Sequence, residues 1–216
     1  MSKHWWVAIW VAATLCGCRV DAYDNGDTKL SYLTTEMVDM HTVAAQQVDY
    51  VITDGQQRLT FATPFACSWA SKPDTLYRAL LYYDSRDESP KPLSATPAWV
   101  LIPMATEKTY PTDPVKLESA WVSENKRYLN LRLGLMTGQD GDSGKQSVGM
   151  VQKRIVAHAS GITTHDLELT HDQNNVPQYY TTSVFTSIPA TRFSAGDTIR
   201  LSINTYQGRI EKQWVW

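Results

Sequence analysis

Residues 128–135 read Tyr-Leu-Asn-Leu-Arg-Leu-Gly-Leu, and their alternation decides the local conformation. With side chains pointing to opposite faces at every step, Leu129, Leu131, Leu133 and Leu135 share one face and Asn130 and Arg132 the other; a helix would scatter them. Just upstream, "VKLESAWV" (115–122) repeats the pattern, with Val115, Leu117 and Trp121 inward and Lys116 and Glu118 outward. Ser123-Glu124-Asn125-Lys126 between them is a turn, so the two segments predict a β-hairpin.

The same period runs outward in both directions. Ile199, Leu201 and Ile203 alternate with Arg200, Ser202 and Asn204, and Gln207-Gly208 turns the chain into a last strand carrying Ile210 and Trp214. Further strands are predicted over 29–41, 47–53, 57–62, 76–83, 98–104, 146–157, 163–169 and 179–188. Only "LYRALLYY" (76–83) has a rival helical reading, and its paired tyrosines favour a strand. The predicted class is all-β.

Of 216 residues, 43% are hydrophobic and 19% charged, a mix that supports a packed core. Twenty basic residues against twenty-two acidic ones leave a net charge of -2, and no basic run provides an electrostatic footprint for nucleic acid. The segment "ATEKTYPTDP" (105–114), with two prolines, separates the apolar "AWVLIPM" from the Val115 hairpin and marks an internal boundary. The part before it has the size of a small barrel, and the part after it that of a β-sandwich.

The first residues differ in kind. Lys3 and His4 precede the apolar run "WWVAIWVAATL" (5–15), which is too short for a bilayer span of about 20 residues but suits a secretory signal. Leu15-Cys16-Gly17-Cys18 then resembles a bacterial lipobox, with a small residue before the modified cysteine. Cleavage after Gly17 would leave Cys18 as the acylated first residue. A Cys-x-Cys metal or redox site would need further ligands or a partner thiol, and Cys67 is the only other cysteine. Cys67 reads as a small buried hydrophobe. Residues 19–27, with Asp21, Asp24 and Asp27, read as a tether. The expected location is the outer membrane, through the lipid.

Candidate chemical motifs are thin. Ser123 and Lys126 match a Ser-x-x-Lys pattern, but that chemistry needs a helix and these residues sit in a turn. Gly138 to Lys145 misses the phosphate-loop spacing, and as a calcium loop it offers Asp140 and Asp142 without the closing carboxylate. His158, His165 and His171 suggest a metal-dependent enzyme, yet their intervals are not those of metal ligands. Asp166 and Glu168 share one side of a strand and read as a solvated pair. No hydrolytic signature is present, so no enzymatic activity, metal or cofactor is expected. The aromatic residues Trp69, Tyr77 and Trp99 are the candidates for a ligand-binding face, with a glycan or peptide as ligand. Trp121, Trp214 and Trp216 read as core and as a stapled C-terminal strand.

"YDNGDTKLSYL" (23–33), "SWASKPDTLYRALLYY" (68–83), "DPVKLESAWVSENKRYLNLRLGLMTG" (113–138), "HDQNNVPQYY" (171–180) and "SINTYQG" (202–208) together resemble the NigD-like lipoproteins of Bacteroidota. The resemblance implies an N-terminal OB-type barrel (28–108) followed by an immunoglobulin-like β-sandwich (113–216), after a signal (1–17) and tether (18–27). It brings no catalytic residues. The anchor, the two-part all-β layout and the missing catalytic constellation point to a non-enzymatic envelope lipoprotein that binds a protein or glycan partner, and the resemblance implies a bacteriocin-immunity-like role for it; the alternative is a carbohydrate- or peptidoglycan-binding accessory lipoprotein. The membrane is the expected partner through Cys18, and nucleic acid is not.

Overall fold

The computed structural model describes residues 32–86, 90–139 and 144–216, and all regular structure in them is β-strand. Five strands precede the 105–114 segment: β1 (Leu33–Ala44), β2 (Gln47–Thr53), β3 (Arg58–Ala66), β4 (Thr75–Asp84) and β5 (Lys91–Val100). Seven follow: β6 (Lys116–Val122), β7 (Tyr128–Thr137), β8 (Ser147–Ala157), β9 (Thr163–Asp172), β10 (Tyr180–Pro189), β11 (Thr198–Thr205) and β12 (Gly208–Val215). The signal segment, the tether, Gly17 and Cys18 lie outside the described residues, as do Asp140 and Asp142.

Two sheets result, ordered β3-β2-β1-β4-β5-β10-β7-β6 and β12-β11-β9-β8. The leucine-rich hairpin forms as its alternation predicts, with β6 and β7 antiparallel. Leu129, Leu131, Leu133 and Leu135 lie at 0–4% exposure and pack with Leu167 and Leu169 of β9 and Ile199, Leu201 and Ile203 of β11. That interleaving of side chains from two facing sheets is a β-sandwich core. Trp216 lies inside it, with its backbone N–H donated to Asp197 O at 2.8 Å.

A second apolar cluster lies on one face of β1 to β4, built from Val38, Met40, Val51, Phe61, Ala79 and Leu81 among others. Cys67 belongs to it at 4% exposure, and burial raises its thiol above the usual range. No closed barrel is present among the described residues, and β5 instead joins the two regions by pairing parallel with β10 at Ala98–Val100. The 105–114 segment is pinned along β9, where Asp113 N donates to His171 O at 2.9 Å and His171 N to Pro111 O at 3.2 Å.

Two sequence expectations shift. The strand predicted over 98–104 ends at Val100 and begins far earlier, at Lys91, despite Pro92 and Pro97. Proline removes a ladder donor, so it is tolerated where one side of a strand is unpaired, and β5 meets β10 only at its last three residues. The second shift is in β6. A bulge between Leu117 and Ser119 inserts one residue and reverses the alternation. Ala120 and Val122 therefore pack on the sandwich core, and Trp121, expected there, turns to the opposite face.

Candidate functional site

The face of β7 opposite its leucines carries Asn130, and Asn130 is fully buried. What covers it comes from the N-terminal strands. Arg78 of β4 lies over the Tyr128 ring, 4.0 Å from its centroid, and donates through Nε to Ser187 Oγ at 3.1 Å and through Nη2 to Asn130 Oδ1 at 3.2 Å. The same Nη2 sits 2.7 Å from Asp54 Oδ1 and 2.8 Å from its Oδ2. Asp39 of β1 accepts from the Tyr128 hydroxyl at 3.1 Å and pairs with Arg127 at 3.1 Å. Ser187 Oγ donates to Asn130 Oδ1 at 2.7 Å, and Asn130 Nδ2 to Asp54 Oδ2 at 2.9 Å.

Two arginines thus offset two carboxylates, and Arg78 donates to Ser187, Asp39, Asp54 and Asn130, the kind of pairing under which a buried charge is tolerated. Burial, followed by the Asp39 charge, raises the Tyr128 hydroxyl above its usual range. β4 and β7 are separated by β5 and β10 in the ladder, so the large sheet curls for Arg78 to reach Asn130. Its ends meet as well, since Asn125 N in the β6–β7 turn donates to Asp54 O in the β2–β3 turn at 2.9 Å.

Beside this junction the curl leaves a cleft of about 610 Å³. Its walls are Glu36 and Met37 of β1, Asp54 and Gly55 of the β2–β3 turn, and Trp121 and Glu124 of the hairpin. A Cβ on Gly55 would stand 3.0 Å from Glu124 Oε2, so the Glu124 side chain reaches across to the β2–β3 turn. Desolvation raises the Glu36 carboxyl above its ordinary value; a hydrogen bond from Tyr83 pulls the other way, and the Asp54 and Glu124 charges add to the rise. Arg78 is engaged with Asp39 and Asp54, and no ion pair holds Glu36 or Glu124 among the described residues. The cleft can receive a positively charged group with an apolar stem, the charge against Glu36 and Glu124 and the stem on Trp121.

A segment model described as the NigD-like C-terminal beta sandwich domain matches residues 99–215, more than half of the chain. The chain belongs to the NigD-like family. Its fold is similar to a NigD-like immunity protein from Bacteroides caccae, at 21% identity and TM-score 0.66, covering 84% of this chain and 96% of that one. It is also similar to a Parabacteroides distasonis protein provisionally named toxin-related, at 17% identity and TM-score 0.61, covering 85% and 93%. A third likeness is to a DUF1344 protein of unknown function from Bacteroides vulgatus, at 16% identity and TM-score 0.58, covering 85% and 90%. No curated protein matches the chain.

The NigD-like segment supplies one wall of the cleft, with Trp121 and Glu124, whereas Glu36 and Asp54 of the other wall precede it. Of the aromatic residues singled out from sequence, the structure brings Trp69 and Tyr77 together edge to face at 5.6 Å. The Trp69 indole donates to Ala95 O at 3.0 Å, and the Tyr77 hydroxyl accepts from Lys72 N at 2.8 Å. Trp99, on β5, is 39% exposed.

The three histidines of this NigD-like chain have separate partners. His158 Nε2 meets Thr164 Oγ1 at 2.8 Å, His165 Nε2 meets Asp197 Oδ2 at 3.3 Å, and His171 lies between Asp113 O and Gln146 Oε1. No group of three metal-ligating side chains occurs among the described residues. Ser123 and Lys126 are in the predicted turn, with Ser123 Oγ accepting from Tyr128 N at 2.9 Å. Sequence reasoning missed Arg78 and Asp54. The only available signal was an arginine interrupting the apolar run of β4, which marks a buried partner but does not name it.

Proposed function

We propose that this NigD-like chain is a non-enzymatic, lipid-anchored protein of the outer membrane that binds a partner in an immunity-like role. Cys18 carries the acyl chains after cleavage behind Gly17, and the tether to residue 27 lifts the folded part from the bilayer. The first part (28–108) is an opened OB-type barrel and the second (113–216) an immunoglobulin-like sandwich. Supporting this division, β1 to β5 have the order β3-β2-β1-β4-β5, and β3 approaches β5 without a ladder between them. The partner presents a basic side chain to the junction cleft. The single observation that carries the binding reading is that cleft, walled by both parts and holding Glu36 and Glu124 without counter-charges.

The test is a protection assay. A strain lacking the chain is challenged with culture supernatants of related bacteria and complemented with wild type, Cys18→Ala or the double variant Glu36→Gln/Glu124→Gln. Wild type should restore growth, and both variants should fail while accumulating normally. Equal growth with and without the chain in every supernatant defeats the immunity reading; protection by the double variant defeats the cleft as its site.

A glycan-binding reading is favoured by one observation, the exposure of Trp99. Binding on a glycan array that survives Trp121→Ala and is lost in Trp99→Ala would support it, and silence across the array would reject it.

A further inference from the structure

Away from the junction, the outer face of the small sheet arranges its charges unevenly. Asp166 of β9 sits between Arg154, at 2.8 Å, and Arg200, at 2.9 Å. Two residues on, Glu168 is only 6% exposed, whereas Lys153 of β8 and Arg209 of β12, which pair with it, are 51% and 54% exposed. Lys153 Nζ is 3.2 Å from one carboxylate oxygen, and the Tyr110 hydroxyl donates to the same oxygen at 2.6 Å. Lys153 Nζ also lies 5.5 Å from the Tyr110 ring centroid. Sequence reasoning took Asp166 and Glu168 for a solvated pair. In the structure each carboxylate is bracketed by two cations.

Glu168 has one negative charge to share between two cations, and its oxygens are engaged. Lys153 and Arg209 are both about half exposed, and although Arg209 Nε also donates to Ser202 Oγ at 3.4 Å, each keeps donors for a further partner. Those donors open on a cavity of about 500 Å³, closed on its other side by the 106–112 segment. Lys108 adds a third cation to the lining and Glu107 an exposed carboxylate. The lining thus carries three cations, Lys108, Lys153 and Arg209, against two carboxylates, Glu107 and the already engaged Glu168, and a ligand entering meets a net positive charge. This is the arrangement that binds an oxyanion: charge-assisted donors fixed beforehand, so that little ordering remains to be done on binding.

We infer that this cavity binds a phosphate group, held between Lys153 and Arg209 with Lys108 closing over it. The donors come from three separate segments, β8, β12 and the 106–112 connection, and so converge from three sides. A tetrahedral oxyanion has peripheral oxygens for all three, whereas a planar carboxylate fills one fork. The phosphate belongs either to a soluble phosphorylated compound or to a lipid headgroup, and the chemistry at the protein is the same.

The experiment uses the full chain carrying Cys18→Ala, so that no acyl chain can take it to a vesicle. Inorganic phosphate is titrated calorimetrically, and flotation is measured with phosphatidylcholine vesicles with and without phosphatidylglycerol. Binding to free phosphate assigns a soluble ligand; binding to the phosphatidylglycerol vesicles alone assigns a headgroup. In either case Lys153→Gln and Arg209→Gln should each weaken binding about tenfold, the loss expected for one charge-assisted contact, in variants that still unfold cooperatively above the assay temperature. Lys116→Gln, at a lysine outside the cavity lining and paired with Glu118, should leave binding as it is. The proposal is overturned if neither probe binds, if both site variants bind like wild type, or if acetate binds as tightly as phosphate.

Discussion

Arg78 and Asp54 meet at 2.7 Å, a side chain of 2% exposure from the centre of the β1–β4 region against a carboxylate on the turn that faces the leucine hairpin. Because Arg78 also holds Ser187 and Asn130, this one side chain binds the N-terminal strands to the back of β7. Its removal would leave buried Asp39 with Arg127 as its remaining cation and half-buried Asp54 with none. Arg78→Met should therefore cost about 3–5 kcal/mol, the range for breaking a buried pair from one side. Arg78→Lys should recover only part of that, since an ammonium cannot serve Ser187, Asn130 and Asp54 together. Urea unfolding at neutral pH measures both, and a loss below about 1 kcal/mol for Arg78→Met would show that the bridge is unimportant.

Trp121 and Val122 are neighbours with opposite fates because of the bulge in β6. Val122→Ala should destabilise by about 1–2 kcal/mol through lost packing on the sandwich core. Trp121→Ala should cost well under the ~3–5 kcal/mol of a truncated core aromatic, and its tryptophan fluorescence contribution should be quenchable by iodide in the native protein. A Trp121 signal that iodide cannot reach would place the residue in the core after all.

Glu36 gives the cleft a pH signature. Its folded-state pKa is raised above 4.5, first by desolvation and then by Asp54 and Glu124. Folding thus favours the protonated acid: the contribution to stability is complete below 4.5 and is lost as pH rises through the folded value. Glu36→Gln keeps a neutral group at all pH, so it should raise the melting temperature at pH 7 and not at pH 4. Equal shifts at both pH values would contradict the assignment.

Asp197 works in the other direction. Its carboxylate accepts from Ser194 N and Thr163 N, each at 2.8 Å, and these bonds hold its pKa below 3.8, with His165 adding to the effect. The stabilisation is present above 3.8 and lost as pH falls through the lowered folded value. Asp197→Asn should remove about 1–2 kcal/mol at pH 7 and flatten the acid limb of the stability curve. An unchanged acid limb would show that other carboxylates govern it.

The glycine of the leucine segment is testable too. A Cβ on Gly134 would come within 2.8 Å of Thr181 Cγ2 and 3.1 Å of Glu118 Oε1. Gly134→Val should therefore destabilise by about 1–3 kcal/mol by overpacking, and a stabilised variant, read from denaturant midpoints, would refute the close approach.

Strand identity was legible wherever one face is buried and the other is not. Leu129 to Leu135, and Ile199 to Ile203, alternate so regularly that their pairing partners hardly matter to the reading. β5 was misplaced because Pro92 and Pro97 argue against a strand unless one knows that one side of it is unpaired, which is a property of the sheet and not of the segment. Trp121 was misassigned because a one-residue bulge leaves no mark in a short alternating stretch, yet it moves every later side chain to the other face.

The polar face of β7 marks the division most clearly. Sequence alone determined that Asn130 and Arg132 oppose the leucines, because backbone stereochemistry sends successive side chains to opposite sides of a strand. It did not determine that Asn130 would be buried and Arg132 exposed. That depended on the large sheet curling until Arg78, 52 positions earlier, reached over it. Periodicity is a local consequence of the backbone, read from a few residues. Which polar groups end up facing each other, and what cleft they leave, is settled by long-range packing that brings distant charges into one low-dielectric space.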